Sequence, residues 1–292
     1  MRTKLFAVIA LVLCSANLHA QRQLQLLVAV TDPNGGEVTA IDAADVRVLE
    51  NGVEGKVVKV DVVNRVPKVQ VLIDNGIGMP PESIADLRTG VRGLLQALPP
   101  NIEVTMVTTA PQPRFLERAT TDREKLLKAV DRLAPDSGAG RFVESLYEAM
   151  DRIAKDKQQD AAYTIITVGT SSGDTNVRES DLKQTMERLQ KYRPVVYATI
   201  LTRTSSGGVI QAEVAQAAAQ ATGGRFENIN VANRLATLLS EWGAQVATTM
   251  AGGTARQFRL TVERSNGAAG ELGKVQVGVA GKLVSSVSVE RK

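Results

Sequence analysis

The chain is almost devoid of thiol and imidazole groups, because Cys14 is its only cysteine and His19 its only histidine. Aromatic residues make up 3% of the composition, and the 35 basic residues are scattered among 31 acidic ones. Nucleic-acid binding usually relies on clustered basic residues with aromatic side chains among them. The composition therefore argues against a nucleic-acid partner and indicates a mixed, solvated surface.

The amino-terminal residues have the three-part layout of a secretory signal peptide. Arg2 and Lys4 precede an apolar run from Leu5 to Leu13, which is followed by small and polar residues ending at Ala20. This run is shorter than the roughly 20 apolar residues that a membrane-spanning helix needs, and no later stretch reaches that length. We therefore expect cleavage after Ala20 and an exported mature protein, periplasmic or secreted, without a transmembrane segment.

Cleavage at this point would remove both Cys14 and His19. The expected mature chain could then form no disulfide and could not use a Ser-His or Cys-His pair for nucleophilic catalysis. A zinc site built from the usual nitrogen and sulfur ligands is excluded for the same reason. Metal binding through oxygen ligands and the chemistry of carboxylates or lysines remain.

The hydrophobic pattern divides the chain into a β segment, an α/β region and a second β segment. Residues 23–63 alternate apolar and polar side chains around turn signals such as Asn51-Gly52, as antiparallel strands do. Between residues 69 and 246, short apolar runs alternate with segments of helical periodicity, which predicts a doubly wound, mostly parallel α/β sheet. After Gly252 the pattern returns to strands.

The predicted fold class is therefore α/β, flanked by antiparallel β segments that pack together into one small β unit. We assign residues 1–20 to the signal peptide, 21–66 to the first β segment, 67–250 to the α/β domain and 251–292 to the second β segment. The alternative is that the two β segments extend the central sheet independently.

Four motifs follow one another in the central region. They are a buried strand ending in an aspartate (69–74), a helical segment (145–149), a strand followed by an acidic loop (165–175), and a helix end of the form A-x-x-T-G-G (218–224). Together they resemble the von Willebrand factor type A domain, which implies a Rossmann-like sheet. Residues 28–35 and 44–52 are similar to the lead-in of exported bacterial VWFA-related proteins, best known from acidobacteria.

This resemblance implies a metal-ion-dependent adhesion site, in which oxygen ligands from three loops hold a divalent cation. The family pattern is D-x-S-x-S after the first strand, with a threonine and a second aspartate from two other loops. Asp74 is retained, but Gly76 and Gly78 occupy the serine positions, and Thr170 stands where the second aspartate is expected. The loop before Arg141 contains no threonine. Of the ligands in this pattern only Asp74 is clearly kept, so the residues themselves predict a degenerate site without a cofactor. The position of Arg141 in its loop suggests the hypothesis that its guanidinium points into the site, replaces the cation and pairs with Asp74.

Doubly wound sheets bind their ligands at the carboxyl edge of the strands. The residues predicted at this edge are Asp74, Asn75, Gly76, Gly78, Met79, Arg141, Thr170, Ser171 and Asp174. We expect this edge, or the β unit, to contact a protein or another component of the cell envelope. The sequence thus predicts a non-catalytic interaction, adhesion or scaffolding module that works without a metal.

Three alternatives remain open. Mg²⁺ or Ca²⁺ could be held by atypical ligands, namely Asp74 with Asp174, which would make the protein a metal-dependent adhesin. Residues 169–173 fit G-x-S-x-G after a strand, the context of a nucleophile elbow. Ser171 or Ser172 would then serve a hydrolase, but only a lysine could activate it. Asp74 could also have a purely structural role in capping the turn that follows it.

Overall fold

The computed structural model describes residues 23–34, 36, 38–64, 66–158, 161–172, 178–202, 209–249, 256–264 and 272–290, so the predicted signal peptide lies outside the described residues. The strands are β1 (Gln23–Thr31), β2 (Val46–Glu50), β3 (Val53–Asn64), β4 (Val66–Ile73), β5 (Glu103–Thr108), β6 (Arg114–Thr120), β7 (Ala161–Thr170), β8 (Val195–Leu201), β9 (Arg225–Ile229), β10 (Arg256–Glu263), β11 (Val275–Val279) and β12 (Leu283–Glu290). The α-helices are α1 (Ile84–Ala97), α2 (Arg123–Asp131), α3 (Phe142–Lys155), α4 (Glu179–Tyr192), α5 (Val209–Thr222) and α6 (Arg234–Thr249). None of these helices is long and apolar enough to cross a membrane.

The described parts of residues 1–65 and 251–292 form one compact unit, called here the β unit. Its six strands pair antiparallel in the order β11-β2-β3-β10-β1-β12. The long strand β3 pairs with β2 at one end and with β10 along the rest of its length. Buried side chains from β1, β2 and β10, among them Leu26, Val48 and Phe258, form a single core. The two terminal segments therefore build one antiparallel β unit, as predicted.

The hairpin turn between β2 and β3 shows how the sequence specifies this pairing. Asn51 and Gly52 both adopt positive φ angles, 51° and 83°, which are the conformations that a two-residue type I′ turn requires. Asn51 also exchanges hydrogen bonds with Lys274, because its N–H donates to the Lys274 carbonyl (2.9 Å) and its Oδ1 accepts from the Lys274 N–H (2.9 Å). The turn thus fixes the entry to β11 as well.

The described parts of residues 66–250 form the second unit, called here the α/β unit. Its sheet has the order β6-β5-β4-β7-β8-β9, and every neighbouring pair is parallel except β5 with β6. One apolar cluster joins α1, α2 and α6 to the sheet, and another joins α3, α4 and α5 to it. The predicted doubly wound α/β fold is confirmed. The carboxyl ends of β4, β7 and β8 consequently lie together at one edge.

Strand β6 was not predicted from the sequence. Its residues, Arg-Phe-Leu-Glu-Arg-Ala-Thr, include three charges and no continuous apolar run. A strand at the edge of a sheet buries little on either face, so it lacks the hydrophobic signal of an internal parallel strand.

Two glycines let α1 approach α6 closely, and they should respond differently to substitution. A Cβ atom on Gly90 would lie less than 3.0 Å from the Leu235 carbonyl oxygen, whereas one on Gly93 would meet the Ser240 hydroxyl, which can rotate. We expect Gly90→Ala to destabilise the α/β unit by about 1 to 2 kcal/mol, because overpacking outweighs the better helix propensity of alanine. Gly93→Ala, the matched control, should be nearly neutral in urea denaturation. Equal effects of the two substitutions would contradict this explanation.

Candidate functional site at the carboxyl edge of the parallel sheet

Asp74 lies immediately after β4 and is 1% exposed. Its backbone N–H donates to the Val168 carbonyl (2.8 Å), which continues the pairing of β4 with β7 by one residue. Its carboxylate accepts a hydrogen bond from the Gly76 N–H at Oδ1 (2.9 Å) and from the Thr170 hydroxyl at Oδ2 (2.6 Å). The three loops that resemble the family's metal-binding loops thus meet around a carboxylate whose two oxygens both have protein donors.

Three glycines bring the loops together at this point. A Cβ atom on Gly140 would lie less than 3.0 Å from all the atoms of the Asp74 carboxylate. A Cβ atom on Gly76 would come as close to the Gly138 carbonyl oxygen, and one on Gly78 to the Thr170 hydroxyl. Real Cβ atoms essentially never approach heavy atoms this closely. The positions that carry serines in the D-x-S-x-S pattern therefore have no space for side chains here.

Burial dominates the electrostatics of the site. It raises the pKa of the Asp74 carboxyl above its usual range, although the hydrogen bonds from Thr170 and Gly76 favour the charged form and act in the opposite direction. A bound cation or a paired guanidinium would compensate the buried charge more strongly than neutral donors do. Among the described residues no basic side chain forms an ion pair with Asp74, and the contacts to its carboxylate are hydrogen bonds.

The predicted pairing of Arg141 with Asp74 is wrong. The Arg141 Nε atom donates to the Pro111 carbonyl (3.3 Å), and the Arg141 N–H donates to the Thr109 carbonyl (3.1 Å). Arg141 is also the residue before α3, where its carbonyl accepts from both the N–H and the hydroxyl of Ser145. The backbone of this loop, at Gly140, faces Asp74, and the guanidinium is directed towards the loop after β5 instead.

In the described part of the chain, few of the groups around Asp74 are ligands of the kind that a divalent cation needs. Mg²⁺ is usually bound by one or two carboxylates, with waters among its six ligands, and Ca²⁺ takes six to eight oxygen ligands. No group of three or more histidine, cysteine, aspartate or glutamate side chains that could hold a metal lies within the described ranges. The backbone at Gly140 and the Thr170 hydroxyl also occupy the immediate surroundings of Asp74.

The other residues predicted at this edge have mostly structural surroundings. Asn75 is buried, and its Nδ2 donates to the Ala134 carbonyl (2.8 Å). Met79 is 1% exposed and belongs to the apolar core around α1. Ser171 is buried and its N–H donates to the Leu201 carbonyl (3.0 Å). These buried side chains shape the loops and offer no surface to a partner, whereas Asp174 lies outside the described residues.

The structure adds two residues that were not predicted. Ile77, between the two glycines, is 57% exposed, and its N–H donates to the Gly138 carbonyl (2.9 Å). Thr109 is 1% exposed, and its hydroxyl has no hydrogen-bond partner in the described part of the chain. The position of Ile77, an apolar residue between two glycines after a buried strand, could have indicated an exposed loop tip. Thr109 carried no such signal, because its proximity to the site depends on the pairing of β4 with β5.

Comparisons with known proteins bear on the fold. No protein-family model matches the sequence, and no curated protein matches it. A solved von Willebrand factor type A structure from Catenulispora acidiphila aligns with 92% of this chain and 72% of its own, at 14% identity and a TM-score of 0.54. The fold is that of a von Willebrand factor type A domain.

Weaker likenesses cover about three fifths of this chain. BatB from Bacteroides thetaiotaomicron is 13% identical, with a TM-score of 0.46, and the alignment covers 62% of this chain and 98% of BatB. An aerotolerance-related membrane protein from Bacteroides fragilis is 11% identical, with a TM-score of 0.45, and the alignment covers 61% of this chain and 98% of that protein. At these identities the similarity concerns the fold alone.

Proposed function

We propose that this protein is an exported, non-catalytic interaction module whose von Willebrand A-like domain binds a protein partner without a metal ion. The observation that carries the proposal is the state of Asp74. Its carboxylate is buried and already accepts hydrogen bonds from Thr170 and Gly76. Because both oxygens of this buried carboxylate already have protein donors, the arrangement supports a structural role for these loops.

The buried residues then act as positioning groups for the loop tip. Asp74 accepts the Gly76 N–H, and the Ile77 N–H donates to Gly138. The first bond closes the turn after β4, and the second holds the 76–78 loop against the loop before α3. Ile77 is left as the exposed side chain between buried neighbours. An exposed isoleucine on a loop held in this way suits contact with an apolar group of a partner protein.

The proposed location outside the cytoplasm rests on the layout of residues 1–20 and on the resemblance of the flanking segments to exported bacterial VWFA-related proteins. A chain expected to lack cysteine and histidine after cleavage suits a scaffolding or adhesion role in the periplasm or outside the cell. The partner is then a protein or another component of the cell envelope.

Ile77→Lys tests this proposal. We expect it to lower the yield of the partner cross-linked to the full-length protein in the producing cells by about tenfold, because a charge replaces an apolar contact in a desolvated interface. The melting temperature should not change, since Ile77 is exposed. Cross-linking followed by mass spectrometry measures the yield.

Val53→Lys is the matched control, because Val53 is an exposed valine (42%) in the β unit. It should leave cross-linking at the carboxyl edge unchanged. If Val53→Lys removes the cross-link and Ile77→Lys does not, then the β unit is the interaction surface and the proposed location is wrong.

A further inference from the structure

Strand β6 presents an open edge of the von Willebrand A-like sheet. It is the first strand in the sheet order and pairs with β5 on one side, and the described residues provide no strand on its other side. The pairing of β6 with β5 shifts register at two places, so the N–H and C=O groups that face away from β5 are irregularly spaced. An open edge of seven residues is long enough to accept an added strand. The side chains along the edge decide whether it is protected from strand addition or able to bind another strand.

The side chains on one face of β6 form a cationic-aromatic patch, defined here as Phe115, Arg118 and Arg152. Phe115 pairs with Val107, whose side chain belongs to the core beneath α3, so Phe115 lies on the same face. It is 44% exposed. The Arg118 guanidinium lies 4.5 Å from the centre of the Phe115 ring, and the Arg152 guanidinium lies 5.6 Å from it. Two positive charges thus converge on one exposed ring.

The two arginines of the patch differ in the negative charge around them. Arg152 pairs only loosely with Glu148 (3.5 Å), and its Nε donates to the Gln70 side chain (2.8 Å). Within the described part of the chain, no carboxylate pairs with Arg118. Glu117 on the other face is paired with Arg132 (3.3 Å), so it does not neutralise the patch. Arg152 thus faces the carboxylates of Glu148 and Asp151, whereas Arg118 has no carboxylate partner among the described residues.

The position of Arg118 distinguishes this edge from one that is merely protected. Charged residues that block an edge project past the outward backbone groups. The Arg118 side chain instead lies over the Phe115 ring on the face of the sheet. Its charge is then placed where the side chains of an added strand would point, while one carbonyl of β6, that of Leu116, already accepts a hydrogen bond from Arg132 (3.1 Å).

We propose that β6 binds an extended acidic segment of a partner protein as an added strand. The outward backbone groups of β6 supply the main-chain hydrogen bonds. A carboxylate of the segment lies next to Arg118, and an apolar side chain beside it packs on Phe115. This surface is separate from the Ile77 loop and goes beyond the function proposed above.

A fluorescein-labelled peptide of eight alternating glutamate and valine residues serves as the probe, and fluorescence anisotropy of residues 21–292 measures binding. We expect saturable binding with a Kd below about 1 mM. Arg118→Glu and Phe115→Ala should each weaken it about tenfold. Arg178→Glu, which reverses another exposed arginine of the same unit, should leave it unchanged. Circular dichroism melts verify that every variant is folded.

Two further peptides separate the components of the proposal. A lysine-valine peptide should not bind, and a glutamate-valine peptide with alternate amides N-methylated should bind at least about tenfold more weakly, because strand addition needs those N–H groups. Undiminished binding of the N-methylated peptide would overturn strand addition. The proposal of an acidic partner would be overturned by any of three results. The lysine-valine peptide binds as well as the acidic peptide, Arg178→Glu weakens binding as much as Arg118→Glu does, or the acidic peptide does not bind.

Discussion

Restoring serines at both positions 76 and 78 is expected to destabilise the α/β unit by about 3 to 6 kcal/mol instead of creating a metal site. A side chain at Gly76 would overlap the Gly138 carbonyl, and one at Gly78 would overlap Thr170. Both neighbours belong to loops that are hydrogen-bonded in place, so neither can withdraw without breaking contacts to Ile77 or Asp74.

Urea denaturation followed by tryptophan fluorescence measures this loss directly. Trp242 is the only tryptophan in the chain and is buried in the core of the α/β unit, so its signal reports the unfolding of that unit. Gly278→Ser is the control, because a Cβ atom at Gly278 would have nothing within 4 Å. A Gly76→Ser/Gly78→Ser variant that kept its stability and bound Mg²⁺ would contradict the closed site.

Thr170→Val is expected to lower the free energy of unfolding by about 2 to 3 kcal/mol at pH 7 and by less near pH 4. The Thr170 hydroxyl donates to the buried Asp74 carboxyl and favours its charged form, whose share grows as the pH rises. Removing a donor to a charged group costs more than removing one to a neutral group. Valine has nearly the same shape as threonine, so packing changes little. Thr170→Ser, which keeps the hydroxyl, should lose less stability than Thr170→Val at pH 7.

The pH dependence follows from the raised pKa of Asp74. Between its unfolded and folded pKa values the folded protein binds more protons than the unfolded chain does, so stability falls as the pH rises through that range and then levels off. Losing the Thr170 donor raises the folded pKa further and extends the fall to higher pH. Urea denaturation of the unsubstituted protein and of Thr170→Val, each at pH 4 and pH 7, measures the loss of stability at the two pH values. Equal losses at the two pH values would show that the hydroxyl does not support a charged carboxylate.

Much of the fold could be predicted because buried elements leave strong periodic signals. The apolar run ending at Ile73 is a strand buried on both faces, and Asn51-Gly52 is a two-residue turn with positive φ. Strand β6 left no such signal because it lies at an edge and carries three charges. Hydrophobic periodicity reports burial, and an element that buries little escapes it.

The sequence could show which residues lie in the loops around Asp74, but not how tightly those loops pack. The glycines at positions 76 and 78, where the D-x-S-x-S pattern has serines, can be read from the sequence alone. The sequence could not show that other atoms occupy the space beside these two glycines. Those atoms belong to Gly138 and Thr170, which are distant in the sequence and come close only in the folded domain. The partner of Arg141 likewise depends on the path of the loop before α3, which no local pattern specifies.

Metal independence is the central claim, and a thermal melt tests it most directly. Residues 21–292 would be melted with excess EDTA and then with millimolar Mg²⁺, Mn²⁺ or Ca²⁺, and Trp242 fluorescence would report the α/β unit. A cation present at about 100 times its Kd would stabilise the folded state by roughly 2.7 kcal/mol, which corresponds to about 5 to 10 °C in a unit of this size. We predict no shift with any of the three cations. A rise of several degrees that EDTA reverses would contradict the metal-free site and make Asp74 and Asp174 the first residues to replace.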